Sequence, residues 1–302
     1  MLQLRPEISE VVGKSILITG VARSGTTIMG TLVHSLSGVE LLFEPPLLYG
    51  LLPLLGKIDP KTWKFLYEVY LFEDFLADSL AGRRVNFNRN DDSGVQKVKS
   101  IQEVDARLDS RYRRLDLVRE ALNHRIAYKM PDILPQVAML MDYYPDKKIV
   151  VMFREPDAVV QSLIDKHWFD WSIRSSSVMQ GPWRVLGNVD VPFWVPPAHI
   201  GTWQASTELQ RAYLYWIWQN EALALLDRSK FCLVDYDEFV LHPVAEFQRV
   251  VGFLGATPTS ITADLLKTVK YQQNTTVELT LDKVSPTLKG RVMKILERLG
   301  YL

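Results

Sequence analysis

The residues Arg23-Ser24-Gly25-Thr26-Thr27 combine types and spacing that suit the binding of an anion. They follow a β-branched, apolar run over 15–20 and precede Ile28, Met29, Leu32, Val33 and Leu36, which recur at helical spacing. The pattern predicts a strand, a tight loop and a helix. Glycines remove side-chain bulk, so backbone N–H groups can converge, and the helix adds the positive end of its dipole. Arg23 supplies a cation with paired donors. The Gly20-x4-Gly25 spacing is that of a P-loop, but Thr26-Thr27 stand where a Walker loop needs Lys followed by Ser or Thr. This departure argues against a magnesium-dependent nucleotide triphosphatase. An ordinary βα turn without a ligand is the competing reading of this segment taken alone.

A second candidate anion site lies in 147–162. Its apolar run reads as a strand with Arg154 at the carboxyl end, and Pro156 suits the first turn of a following helix. Ser162 then falls about two turns along that helix, a rise of roughly 9 Å. A guanidinium and a hydroxyl so placed can close on one phosphate. Glu44 ends the short apolar run 39–43 and is followed by Pro45-Pro46, which cannot continue a central strand. At the carboxyl edge of an open α/β sheet such a carboxylate faces the site; as a solvated turn residue it would do nothing. Lys129 closes another apolar run before Pro131, a position where a lone lysine is commonly exposed. His167 and His199 are candidates to assist proton transfer, against a structural or exposed role for each.

Together these segments resemble the PAPS-dependent sulfotransferases, bacterial-type and closest in motifs to the tyrosylprotein and carbohydrate branch; PAPS is 3′-phosphoadenosine 5′-phosphosulfate. The resemblance covers 15–44 and 129–162 well and 232–254 moderately, leaving the middle insertions unmatched. It implies that Arg23, Ser24, Gly25, Thr26 and Thr27 form the 5′-phosphosulfate loop and that Arg154 and Ser162, eight positions apart, hold the 3′-phosphate. It implies Glu44 as general base and Lys129 as a cation beside the bridging oxygen. The segment 231–243 resembles the family's Tyr-Glu-x-Leu-x-x-x-Pro stretch, which implies that Tyr236 contacts the adenine. In the family a C-terminal loop folds over the 3′-phosphate and often supplies a cation; Lys283 is the candidate here, beside the polar Asn274, Thr275 and Thr276.

The elements that must position these residues read as one α/β domain over 1–302, P-loop-like and three-layered. Its central sheet, mainly parallel with about five strands, is flanked by helices. A helical insertion occupies about 45–123: aromatic and aliphatic residues recur at helical spacing over 61–80, 82–94 is a polar loop, and 98–123 carries dense mixed charge on a helical period, read as a solvated face. A helix is expected over 132–144. A Trp-rich lid or acceptor region covers about 165–218, with Trp168, Trp171, Trp183, Trp194, Trp203, Trp216 and Trp218. Its middle, 181–201, reads as an ordered loop, and a helix is expected over 202–227. The rings either stack on an acceptor or pack the lid on the core; packing is the reading for Trp216 and Trp218.

Composition narrows the partners. Thirty-five basic and 35 acidic residues cancel, which argues against a broad basic face for nucleic acid. Cys232 is the only cysteine, so no internal disulfide forms, and 1–10 lacks signal-peptide features; a cytoplasmic location is expected. No apolar run reaches membrane-spanning length, and 47–55 reads as core or pocket wall. Histidines are scattered without metal-ligand spacing. The reading is therefore metal-free sulfuryl transfer from PAPS, leaving adenosine 3′,5′-bisphosphate (PAP), to a hydroxyl or an amine. The acceptor is a small molecule, carbohydrate, peptide tyrosine or carrier-bound chain. The rival readings are a P-loop kinase and a non-catalytic nucleotide-binding protein.

Overall fold

The computed structural model describes residues 3–91, 93–109, 113–169, 183–186, 189–269 and 280–302. Strands run β1 Ile16–Gly20, β2 Val39–Phe43, β3 Arg125–Lys129, β4 Lys148–Phe153, β5 Trp183–Leu186, β6 Val189–Pro192 and β7 Cys232–Asp235. Five of them form one sheet in the order β2-β3-β1-β4-β7, and every pairing in it is parallel. All five therefore end on the same edge, and the chain leaves them there through Gly20, Glu44, Lys129, Arg154 and Tyr236. The remaining pair, β5 and β6, is an antiparallel hairpin inside the stretch expected to be a loop.

Alternation along the strands explains the three layers. Leu17, Tyr128, Ile149, Val151 and Phe153 face one core, with Val137, Val160, Leu163 and Trp216 from the helices Leu134–Tyr143, Pro156–Ile164 and Glu208–Leu223. Ile16, Ile18, Val150, Met152 and Val234 face the other, with Met29, Leu32 and Val33 from the helix Thr26–His34 and Phe247 and Val250 from the helix Pro243–Leu254. A parallel sheet covered on both faces needs such uninterrupted apolar strands, and all five residues of β1 are buried.

Several boundaries differ from the sequence expectation. The helix read over 61–80 is α-helical at Pro60–Glu68 and Asp78–Leu80 and π-helical at Val69–Ala77 between them. That expected over 132–144 starts at Leu134, because Asp132 takes a left-handed backbone, φ 69°. The one expected over 202–227 breaks at Ser206: Ile200–Ala205 ends there, and Glu208–Leu223 begins with a capping box between Thr207 and Gln210.

The charged stretch 98–123 forms the helices Ile101–Leu108 and Arg114–Ala121, and its charges are not all solvated. Lys99 and Arg107 turn inward to Glu40 on β2. Arg107 binds Glu40 through two hydrogen bonds of 2.8 and 2.6 Å, and Lys99 lies 3.4 Å from the same carboxylate. Lys99 also donates to the Val39 carbonyl, 2.6 Å, and so blunts the exposed edge of β2. Burial alone would raise the Glu40 carboxyl; His34, Lys99 and Arg107 reverse that and hold it well below the usual range. This cluster fixes the strand that ends in Glu44. Arg107→Ala should lower stability by about 3 kcal/mol, because it strips a buried carboxylate of its bidentate partner. Denaturant unfolding with an unchanged slope is the check; a shift under about 0.5 kcal/mol would show that Lys99 alone suffices.

Candidate functional site

At the carboxyl edge the central strand exits through Gly20 at φ 144°, where an added Cβ would lie 2.2 Å from the Met152 carbonyl oxygen. Gly25 caps the helix Thr26–His34 at φ 83°, and a Cβ there would meet the Tyr236 ring at 2.3 Å. The two glycines thus let the loop pass close to β4 and let an aromatic ring rest on the loop backbone. Between them Arg23 is also left-handed, φ 71°. Its Nε donates to Ser162 Oγ at 2.9 Å, and Arg154 Nη1 donates to the Arg23 carbonyl at 3.1 Å. The Arg154 guanidinium lies over the Tyr236 ring, 4.6 Å from its centroid. Burial, with the Arg154 charge added to it, pulls the Arg23 guanidinium below its ordinary value.

These residues line a cleft of about 450 Å³, with Thr26, Thr27, Thr31, Leu265 and Thr268 on its walls. Lys97 lines it too, from the join between the polar loop and the charged helices, where nothing in the sequence marks it. Two buried polar atoms of the site have no hydrogen-bond partner: Ser24 Oγ and Arg154 Nε, the latter 3.9 Å from Asp237. Unsatisfied donors beside two guanidinium groups and a helix N-terminus fit an anionic ligand.

A second, smaller cavity of about 200 Å³ lies on the other side of the loop. Arg23, Thr26 and Thr27 line it together with Glu44, Lys129, Tyr49, Asp132 and Trp168. Strand register brings Lys129 beside Phe43, and Glu44 N–H donates to the Lys129 carbonyl at 2.9 Å. The Lys129 ammonium is ion-paired with the Glu44 carboxylate and sits over the Phe43 ring, 4.3 Å from its centroid. Four non-glycine residues have positive φ among those described: Arg23, Glu44, Asp132 and His167. The first three line this cavity, which places stored backbone strain at the site.

The structure thus brings Arg23, Ser24, Gly25, Thr26, Thr27, Arg154, Ser162 and Tyr236 to the larger cleft and its loop, and Glu44 and Lys129 to the smaller cavity. Ser162 meets Arg23 and not Arg154 in its hydrogen bond. The remaining candidates lie apart from both. His167 and His199 are exposed, and the His199 ring stacks on Trp218 at 5.7 Å. Lys283 is exposed in the turn Leu281–Lys283, which is moored by the Leu281 N–H on Asp157, 3.0 Å. Asn274, Thr275, Thr276 and Trp171 lie outside the described residues, as does the side chain of Trp183. Of the other tryptophans of that region, Trp194, Trp203, Trp216 and Trp218 are buried, and Trp168 lines the smaller cavity. Trp194, Trp203 and Trp218 pack with Phe169 and Tyr215, ring to ring at 4.9–6.4 Å. Tyr49 and Asp132 went unnoticed in the sequence; an acid three residues past the strand-end lysine was the available signal for Asp132.

Fold and site together define an α/β protein with an anion cradle at the carboxyl edge of its sheet and a carboxylate–ammonium pair beside it. The profile of the sulfotransferase family matches residues 15–259, and the chain belongs to that family. Membership supports sulfuryl transfer as its chemistry. Among solved structures the chain is similar to the sulfotransferase domain from the curacin biosynthetic pathway, at 14% identity and a TM-score of 0.49, over 96% of this chain and 98% of that one. It is also similar to the sulfotransferase domain from the Synechococcus PCC 7002 olefin synthase (15%, 0.46, 96% and 95%). A third is sulfotransferase STF9 from Mycobacterium avium (14%, 0.48, 97% and 79%). No curated protein sequence matches the chain. Among the described residues no helix is long and apolar enough to cross a membrane, and no cluster of three or more His, Cys, Asp or Glu could hold a metal ion.

The contact between Gly25 and Tyr236 can be read directly. Gly25→Ala should destabilise by about 1–2 kcal/mol from the left-handed backbone alone, with the ring clash added. Adding Tyr236→Ala removes only the clash, so the double mutant should be more stable than the sum of the single losses implies. Strictly additive losses in chemical denaturation would show that the ring moves away freely.

Proposed function

We propose that the protein transfers a sulfuryl group from PAPS to a hydroxyl or amine of a small-molecule, carbohydrate or carrier-bound acceptor, with Glu44 taking the acceptor's proton. The observation that supports this most is the common wall: Arg23, Thr26 and Thr27 line both the cleft that holds Arg154, Ser162 and Tyr236 and the cavity that holds Glu44 and Lys129. A donor bound on one side and an acceptor on the other would meet across a single loop, which is the positioning a transfer reaction needs.

PAPS, when bound, supplies the activated sulfuryl group and a phosphate leaving group. The residues present suit it. Arg154, Ser162 and Tyr236 offer a guanidinium, a hydroxyl and an aromatic face for a nucleotide with a 3′-phosphate, and the loop of Ser24 with the first amides of its helix would take the 5′ end. Arg23 stands at the junction, placed to stabilise charge that grows on the transferring group and the leaving phosphate. Lys129 holds the Glu44 carboxylate in place and adds a second cation there. The positive charge comes from side chains, so binding should not depend on a divalent ion.

PAP in excess chelator should raise the melting temperature; ligand at a hundred times its Kd stabilises by about 2.7 kcal/mol. No shift at saturating PAP, or a shift with MgATP alone, would favour the kinase reading. With PAPS and an acceptor panel scored by mass spectrometry, Glu44→Gln should cut turnover by roughly 10²–10⁴-fold and leave PAP binding nearly intact. Turnover retained within a few-fold, alongside an inactive His167→Ala or His199→Ala variant that still binds PAP, would move the proton acceptor to that histidine.

A further inference from the structure

Asp132 is 5% exposed, sits in the left-handed region at φ 69° and lines the smaller cavity. Its amide donates to the Gly20 carbonyl, 3.2 Å, so the exit of β3 is tied to the exit of β1. Its carboxylate is hydrogen-bonded to the Tyr215 hydroxyl, and that same hydroxyl accepts the Ala22 backbone N–H at 2.5 Å. Tyr215 has one proton to give, and the Ala22 amide can only donate, so the proton must point to Asp132. The chain of donors therefore runs one way, from loop amide to hydroxyl to carboxylate. One helical turn on, Gln219 accepts Leu134 N–H at 3.1 Å and donates to the Asp132 carbonyl at 3.3 Å. Asp132 is thus held on both its backbone and its side chain.

Ala22 immediately precedes Arg23. With the Ala22 amide fixed on Tyr215, the next residue takes its left-handed conformation, the Ser24 amide closes a turn on the Val21 carbonyl at 3.3 Å, and the first amides of the helix Thr26–His34, which have no intrahelical partner, are left to converge on an anion. We propose that Asp132 is a positioning residue for the donor site, acting through Tyr215 and the Ala22 amide to set Arg23 and the phosphosulfate loop. The proposal rests on the reading of that loop as a PAPS site.

The surroundings of Asp132 make this linkage sensitive to pH. The groups that face it are Tyr215 on the helix Glu208–Leu223, Glu44 after β2, Lys129 at the end of β3, Tyr49 on the helix Pro46–Leu51 and the Ala22 amide. Burial, with the Glu44 charge added, pushes its carboxyl up to about 7, and the Tyr215 hydrogen bond opposes this only in part. Above that pH a second anion joins Glu44 beside the loop, so an anionic nucleotide should bind less well as pH rises through about 7. Asn at this position still accepts the Tyr215 proton but cannot ionise.

The test measures PAP affinity by calorimetry from pH 6 to 8.5 on variants first shown to be folded by circular dichroism. Tyr215→Phe, which removes the hydroxyl that the Ala22 N–H binds, should bind PAP about tenfold more weakly. Asp132→Asn should bind as tightly as the parent at pH 6 and lose the parent's decline above pH 7, a change that a purely structural role would not produce. Parent-like affinity in folded Tyr215→Phe, or an unchanged pH profile in Asp132→Asn, would overturn the proposal while leaving the PAPS reading intact. A parent protein that binds no PAP at any pH would overturn the PAPS reading and this proposal with it.

Discussion

Two guanidinium groups close enough to feel each other's charge are the constraint on which the rest of this site depends. Arg154, only 8% exposed, donates to the carbonyl of Arg23, and its ion pair with Asp237 is long, 3.9 Å, so the two positive charges are only partly offset. Such repulsion is sustained only where the surrounding backbone leaves neither side chain another place to go. Here Arg154 is pinned over the Tyr236 ring and Arg23 is locked by its own left-handed backbone and by Ser162. The arrangement favours the arrival of negative charge because it is unfavourable without it.

The parallel sheet delivers these groups, and one helix holds them in register. From Glu208–Leu223, Tyr215 reaches the turn after β1, Gln219 the turn after β3, and Trp216 donates to the Arg154 carbonyl after β4 at 3.2 Å. Three consecutive exits of the sheet are therefore read by three side chains within two turns of one helix. Tyr213, a further half turn back, bonds Asp157 at the start of the next helix and also Thr280, 2.8 Å, so the C-terminal segment is anchored to the same element. A polar network satisfied to this degree defines a single arrangement of the edge more firmly than apolar packing alone would.

Much of this was legible in the sequence where local chemistry decides the structure. The five parallel strands announced themselves as apolar runs, and Gly20, Gly25, Pro45 and Pro156 marked where each must stop or turn. Glu44, Lys129 and Arg154 stood out as charged residues at strand ends, with roles implied by the family resemblance, and Tyr236 stood out through that resemblance alone. What was not legible depends on direction through space. Lys99 and Arg107 belong to a stretch whose mixed charges suit a solvated face, yet both turn inward because Glu40 is buried opposite them. Trp216 and Trp218, on a helix buried almost all round, pack as expected, whereas Trp194 and Trp203, left open between lid and acceptor contact, are buried as well. Asp132 looked like the first residue of a helix, and its left-handed turn comes from bonds to residues more than 80 positions away.

Glu44 and Lys129 are separated by 85 positions in the chain but are neighbours through the register of two adjacent strands. The segment between β2 and β3 leaves and returns at fixed points, so, apart from Lys99 and Arg107 that hold β2, its length and content can change without altering the distance between the two charges. The pair behaves as a socket and the intervening segment as an exchangeable fitting. Tyr49, which lines the smaller cavity, comes from that segment. Swapping the insertion between relatives is thus the economical route to a new acceptor pocket around an unchanged reacting pair, for an engineer as for evolution.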